Sequence, residues 1–172
     1  YLVHAGLTRA QATTPAGHTS TVFFSEEGDI LAAMTSLGPR SARRLYERGL
    51  HPRLDDLKPA VEGRSLHTVS AVEPSVLMRG DYRAVDQLAQ RHHAWAILTG
   101  AITTIYAMTQ QADLIWNRDT PEDRYRSLLS ERPDLVSRLT QRDLAAYLNV
   151  TETTMSRIAK RVRREPGAPA TS

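Results

Sequence analysis

Residues 139–165, LTQRDLAAYLNVTETTMSRIAKRVRRE, constrain the fold more tightly than any other stretch, because they set two short helical patterns around a single Asn. Helices joined so closely must cross at short range. The first then needs a small residue at the crossing, the turn needs a residue that tolerates positive φ, and apolar side chains must lock the pair. Ala145 is the small residue, and Asn149 belongs to the few non-glycine types that enter the left-handed region cheaply. Leu144, Leu148, Val150, Met155 and Ile158 supply the lock. Thr140 and Asp143 give the cap signal of the first helix, which runs to about Leu148, and Thr151 caps the second. The pattern predicts a helix-turn-helix.

Charge gathers on the same segment. The chain carries a net charge of only +3, yet between residues 151 and 164 Arg157, Lys160, Arg161, Arg163 and Arg164 stand against one acid, Glu152. Such an end suggests a polyanionic partner. A solvated helix face or a solubilising tail has the same composition, and the adjoining helical hairpin weighs against it. Glu152, Thr153, Ser156 and Arg157 fall on the outer face of the second helix's N-terminal half, the part of a helix-turn-helix that reaches base edges. Lys160, Arg161, Arg163 and Arg164 follow as candidate phosphate contacts.

Upstream, a long helix is expected from near Asp81. It carries a seam of Leu98, Ile102, Ile105, Thr109, Ala112 and Trp116, whose alternating steps of four and three residues follow the heptad rule for a parallel partner helix. The same stripe, widened by Ile97, Ala101 and Met108, could instead pack on the chain's own β domain. Residues 94–112 are uncharged for 19 positions, but four Thr, two Gln and a Gly dilute them below a membrane span, so a buried helix is expected. His92 and His93 are a poor pair for one metal ion, since adjacent helical positions point to different faces. Thr120, Pro121 and Asp123 start a new helix, and Pro133 ends it near Glu131.

Before Asp81 the character is different. Residues 1–37 hold β-branched and aromatic residues, with PAG and EEGD as turn signals, and RSLHTVSAVEPSVLMRG returns to strand character. Residues 38–63, rich in charge, Pro and Gly, read as an insertion. A hydrophobic content of 41% is ordinary for a globular chain, and the absence of cysteine excludes disulfides, thiolate zinc sites and cysteine-held iron–sulfur clusters. No signal peptide is recognised at the start, and a cytoplasmic location is expected. No nucleophile–base pair, metal-ligand spacing or phosphate loop stands out, so an enzyme is not expected.

TPEDRYRSLLSERPDLVSRLTQRDLAAYLNVTETTMSRIAKRV resembles the winged-helix segment of Crp/Fnr family transcription regulators, including the Thr-x-x-Thr-x-Ser-Arg recognition helix at Thr151, Thr154, Ser156 and Arg157. Residues 1–37 resemble the later strands of that family's cyclic-nucleotide-binding-like β-barrel, and TVSAVEPSVLMRGDYRAV resembles its last strand and the entry to the dimer helix. The resemblance implies an α+β fold. Residues 1–80 would form a sensor domain, incomplete at its N-terminus and carrying the 38–63 insertion. Residues 81–118 would form the dimerisation helix, and 119–172 a helix-turn-helix domain that lacks most of the wing and ends in a short disordered tail.

It also implies a homodimer that binds an inverted-repeat operator in double-stranded DNA, with RNA polymerase as a further partner. The implied DNA contacts are Thr140, Gln141, Thr151, Glu152, Thr153, Ser156, Arg157, Lys160, Arg161 and Arg163. A ligand-binding or protein-interaction module whose helix-turn-helix serves only packing is the alternative. Family members that bind cyclic nucleotide hold the ribose with a Gly-Glu pair, whose place is taken here by Ala32-Ala33. A methyl group cannot accept a ribose hydroxyl. The phosphate element matches Arg40 and Ser41 by wording, and Arg64 and Ser65 by place in the chain. A response to cyclic AMP is therefore not expected, and no cofactor is implied. Many relatives carry Glu where Thr153 stands, so the bases read beside Arg157 should differ.

Overall fold

The computed structural model describes residues 1–14, 17–31, 65 and 67–164. Contacts divide the chain into two units: Tyr1–Ala12 with Phe24–Met108, and Thr13–Phe23 with the segment from Thr109 onward. The expected insertion at 38–63 and the expected tail beyond Arg164 lie outside the described residues.

Two small sheets open the chain. β1 (Leu2–Ala5) pairs antiparallel with β5 (Val76–Met78), in the register Leu2 to Met78 and Val3 to Leu77, with a bulge before Ala5. β2 (Thr8–Thr13) is the middle strand of the other sheet, between β3 (Thr19–Ser25) and β4 (Thr68–Ala71). Alternation along β2 buries Thr8 and Ala10, which join Val3, Leu7 and Leu31 in a modest core. The stretch YLVHAGLTRAQATT thus forms two strands divided at Gly6. There φ is +93°, and an added Cβ would run into Ser75 and the backbone of Pro74, so only glycine lets the two segments approach this closely. The EEGD turn is also present: Glu26 N–H donates to Asp29 Oδ2 at 2.9 Å, and Gly28 takes φ +91°.

The helix expected over 81–118 is not continuous. α1 (Tyr82–Arg91) and α2 (His93–Trp116) are separated by one extended residue, His92, at φ −130° and ψ 115°. Its N–H closes α1 on Leu88 O at 2.8 Å, while its carbonyl accepts from Trp95 N–H at 3.0 Å and Ala96 N–H at 3.2 Å. Because His92 satisfies helix-end groups on both sides, the break leaves few orphans and no glycine or proline marks it. Within α2 the threonines fit a helix by turning their hydroxyls onto carbonyls one turn back, Thr99 on Trp95 O at 2.7 Å and Thr103 on Thr99 O at 2.9 Å. Among the described residues, no helix is long and apolar enough to cross a membrane.

Four further helices form the second unit's core: α3 (Pro121–Glu131), α4 (Pro133–Arg138), α5 (Gln141–Leu148) and α6 (Glu152–Arg164). Thr120 caps α3 by accepting from Asp123 N–H, and Pro121 occupies the first turn, as the sequence pattern predicts. Tyr125, Leu128 and Leu129 of α3, Val136 of α4, Leu144, Ala145 and Leu148 of α5, and Met155, Ile158 and Val162 of α6 close on one another.

Candidate nucleic-acid interface

Asn149 stands at φ 57° and ψ 45°, the single non-glycine positive φ among the described residues. Its own N–H and that of Val150 both turn back to Ala145 O, the latter at 2.9 Å, so two donors finish α5 on the carbonyl of its smallest core residue. Ala145 is 2% exposed, so extra methylenes there would crowd a packed helix crossing. Three residues after Asn149, α6 begins at Glu152. Thr151 Oγ1 accepts from Thr154 N–H at 3.2 Å, and the two threonine hydroxyls lie 2.9 Å apart.

At the other end of α5, Thr140 forms a full capping box. Asp143 N–H donates to Thr140 Oγ1 at 3.2 Å, Thr140 N–H donates to Asp143 Oδ2 at 3.1 Å, and the hydroxyl also donates to that carboxylate. The side chains of Thr140 and Thr151, both expected at DNA, are thus engaged in shaping the two helix starts, and Gln141 is exposed beside the first.

α6 is sharply two-sided. Met155, Ile158 and Val162 are buried, and helical spacing sets Thr153, Arg157, Lys160 and Arg164, all exposed, together on the opposite side. Glu152, Arg161 and Arg163 are exposed on the flanks, whereas Ser156 is half-buried. Arg157 and Lys160 make no salt bridge or side-chain hydrogen bond among the described residues, so their charges face outward uncompensated. Arg161 differs: its Nη1 donates to Glu122 Oε2 of α3 at 2.6 Å.

Sequence reading missed Arg124. Its charge marks it as a surface residue, yet it is 5% exposed, one turn before Leu128 on the core face of α3. It donates to the side chain of Asn117 and to the backbone carbonyl of Leu148, and its guanidinium lies 4.7 Å from the centre of the Trp116 ring. Burial draws this guanidinium below its ordinary range, opposed by Tyr147 and Asp119 nearby. Trp116 also meets Tyr147, with ring centres 5.3 Å apart. Burial, with Asp113 adding to it, pushes the Tyr147 phenol up. The end of α5 is therefore pinned from α3, directly before the Asn149 turn. From the other side of that turn, His18 Nε2 reaches Asn149 Oδ1 at 3.1 Å within the same unit.

The seam residues divide. Leu98, Ile105, Thr109 and Ala112 are exposed along α2, Ile102 is half-buried, and Trp116 packs against the helix-turn-helix core. His92 and His93 are both exposed. Of the residues expected at a ligand, Ser65 closes a local turn, donating to His67 O at 2.8 Å and accepting from His67 N–H at 3.1 Å. Arg40, Ser41 and Arg64, like Ala32 and Ala33, lie outside the described residues.

The fold of this chain is similar to that of several solved structures. FixK2 from Bradyrhizobium japonicum superposes with a TM-score of 0.64 at 18% identity, covering 94% of this chain and 73% of that one. A transcriptional regulator assigned to the Crp/Fnr family, from Eubacterium rectale, gives 0.60 at 15% identity over 94% and 68%. The chain has a Crp/Fnr-like fold. A cyclic nucleotide-binding domain containing protein from Listeria monocytogenes EGD-e gives 0.53 at 13% identity, over 94% of this chain and 71% of that one. No family model and no curated protein matches the sequence.

Proposed function

We propose that the chain is a sequence-specific DNA-binding transcription regulator, not an enzyme, which binds an inverted-repeat operator as a homodimer. One observation carries this: Asn149 bends the backbone into α6 so that Arg157 stands exposed, without an ion-pair partner among the described residues, and opposite the buried face of that helix. The Crp/Fnr-like fold and the regulators that share it support the same reading. Arg157 is assigned to base edges, where a guanidinium can bridge the O6 and N7 of guanine, with Ser156, Thr153 and Glu152 beside it. Lys160 and Arg163 take phosphates, while Thr140, Gln141 and Thr151 hold the helix starts against the backbone. Dimerisation uses the exposed apolar seam of α2, and RNA polymerase is a further partner. The sensor domain is degenerate and unresponsive to cyclic AMP, because Ala32-Ala33 offers no ribose acceptor.

Arg157→Ala tests the central assignment. Measured by fluorescence anisotropy on selected and random duplexes, it should weaken the selected site by about 1–3 kcal/mol and relax one base position. Equal weakening on every sequence would make Arg157 a phosphate contact. Wild-type affinity that ignores salt would leave a helix-turn-helix used only for packing.

A further inference from the structure

We propose that Glu122 is a positioning residue that keeps Arg161 off the DNA backbone and thereby limits how many phosphates the recognition helix neutralises; this rests on the DNA-binding reading above. Among the described residues, Arg161 of α6 has a carboxylate partner and Arg157 and Lys160 have none. The partner sits on another helix, 39 residues earlier in the chain. Glu122 is held firmly at its own end. Its side chain is 18% exposed, and its second oxygen, Oε1, accepts from Arg126 Nη2 at 2.6 Å, one turn along α3. Arg126 in turn bonds Asp123 Oδ1 at 2.9 Å. The four side chains sum to no net charge: two carboxylates face two guanidiniums.

Geometry adds to the charge balance. Between the start of α3 and the flank of α6 runs a groove of about 600 Å³, lined by Glu122, Asp123, Arg126, Thr154, Arg157 and Arg161. Arg161 reaches across it to Glu122, while Arg157, one turn earlier on α6, lines the same groove without a carboxylate partner among the described residues. The two arginines four residues apart therefore have different tasks: one reads, the other is neutralised in place. With its charge balanced in this groove, that flank draws no phosphate, which leaves backbone contact to the side carrying Lys160 and Arg163.

The test is a salt titration of duplex binding with wild type, Glu122→Gln, Arg161→Met and the double variant, each checked for fold by circular dichroism. Replacing Glu122 by its neutral isostere frees Arg161, so the slope of log K against log salt should steepen by about 0.9, the contribution of one phosphate. Between about 50 and 200 mM salt this is roughly a three- to fourfold larger loss of affinity than for wild type. Operator and random duplex should change alike, because phosphates carry no sequence information. Arg161→Met should leave the wild-type slope unchanged and abolish the steepening in the Glu122→Gln background, a dependence that a merely structural tie would not produce.

An unchanged slope in folded Glu122→Gln overturns the proposal. So does a wild-type slope that becomes shallower by about 0.9 on Arg161→Met, since Arg161 would then already be on a phosphate; this second arm decides the matter even where Glu122→Gln does not fold. If wild type lacks salt-dependent affinity altogether, the DNA-binding reading fails first. If Arg157→Ala behaves as expected while these slopes do not, the role of Glu122 alone is wrong.

Discussion

At Asn149 the backbone takes a conformation in which a Cβ crowds the following carbonyl, and the short polar side chain is one of the few that tolerates it. Asn149→Gly should therefore leave the stability of the second unit within a few tenths of a kcal/mol, whereas Asn149→Val should lower it by about 1–2 kcal/mol, read from urea denaturation. Equal effects of the two would mean that the side-chain contact with His18, and not the backbone, sets the residue type. This position was legible in the sequence because the constraint is local: a residue's own sterics decide whether it enters the left-handed region. Arg124 was not, because its burial depends on Trp116 and Leu148 arriving from elsewhere in the chain. The Glu122–Arg161 pair was hidden for the same reason, since nothing in either residue's neighbourhood of sequence names the other.

Helix starts were the best-read elements. Thr120 with Asp123 and Thr140 with Asp143 satisfy orphan donors through residues three apart, so the chemistry is complete within four positions. Thr140→Ala should lower the stability of the second unit by about 1 kcal/mol, measured by denaturation, and reduce affinity for every duplex by no more than the loss of one weak backbone contact. A large sequence-selective loss would instead make Thr140 a base reader. The break at His92 escaped notice because it spends one residue and no glycine or proline, while the apolar periodicity resumes in α2. Exposed Leu98, Ile105 and Ala112 follow the seam read from the heptad pattern; Trp116, at its end, serves the helix-turn-helix core instead. Its aromatic ring fits both roles in sequence, and only the position of Tyr147 and Arg124 distinguishes them.

At the scale of the molecule, the proposed dimer fixes a distance. Two recognition helices on one duplex face must meet major grooves roughly 34 Å apart, so inserting about five base pairs between half-sites turns one half-site to the far side. Binding to the lengthened site should fall to that of a single half-site in a gel-shift titration, and undiminished binding would argue for independent monomers. The small sheets were legible as strand-rich sequence, but their pairing was not: β1 finds β5 across more than seventy residues, and such a match depends on chain closure that periodicity does not encode.

The arginines of the second unit also live in two electrical climates. Arg157 faces solvent, where ions at physiological strength damp attraction within about 8 Å, while Arg124 sits among aromatic rings that ions do not enter. On the proposed function, rising ionic strength should loosen the grip on a polyanion and leave the anchor under the Leu148 carbonyl untouched. In the proposed DNA-binding role, the reading head would leave the duplex already shaped for its next encounter.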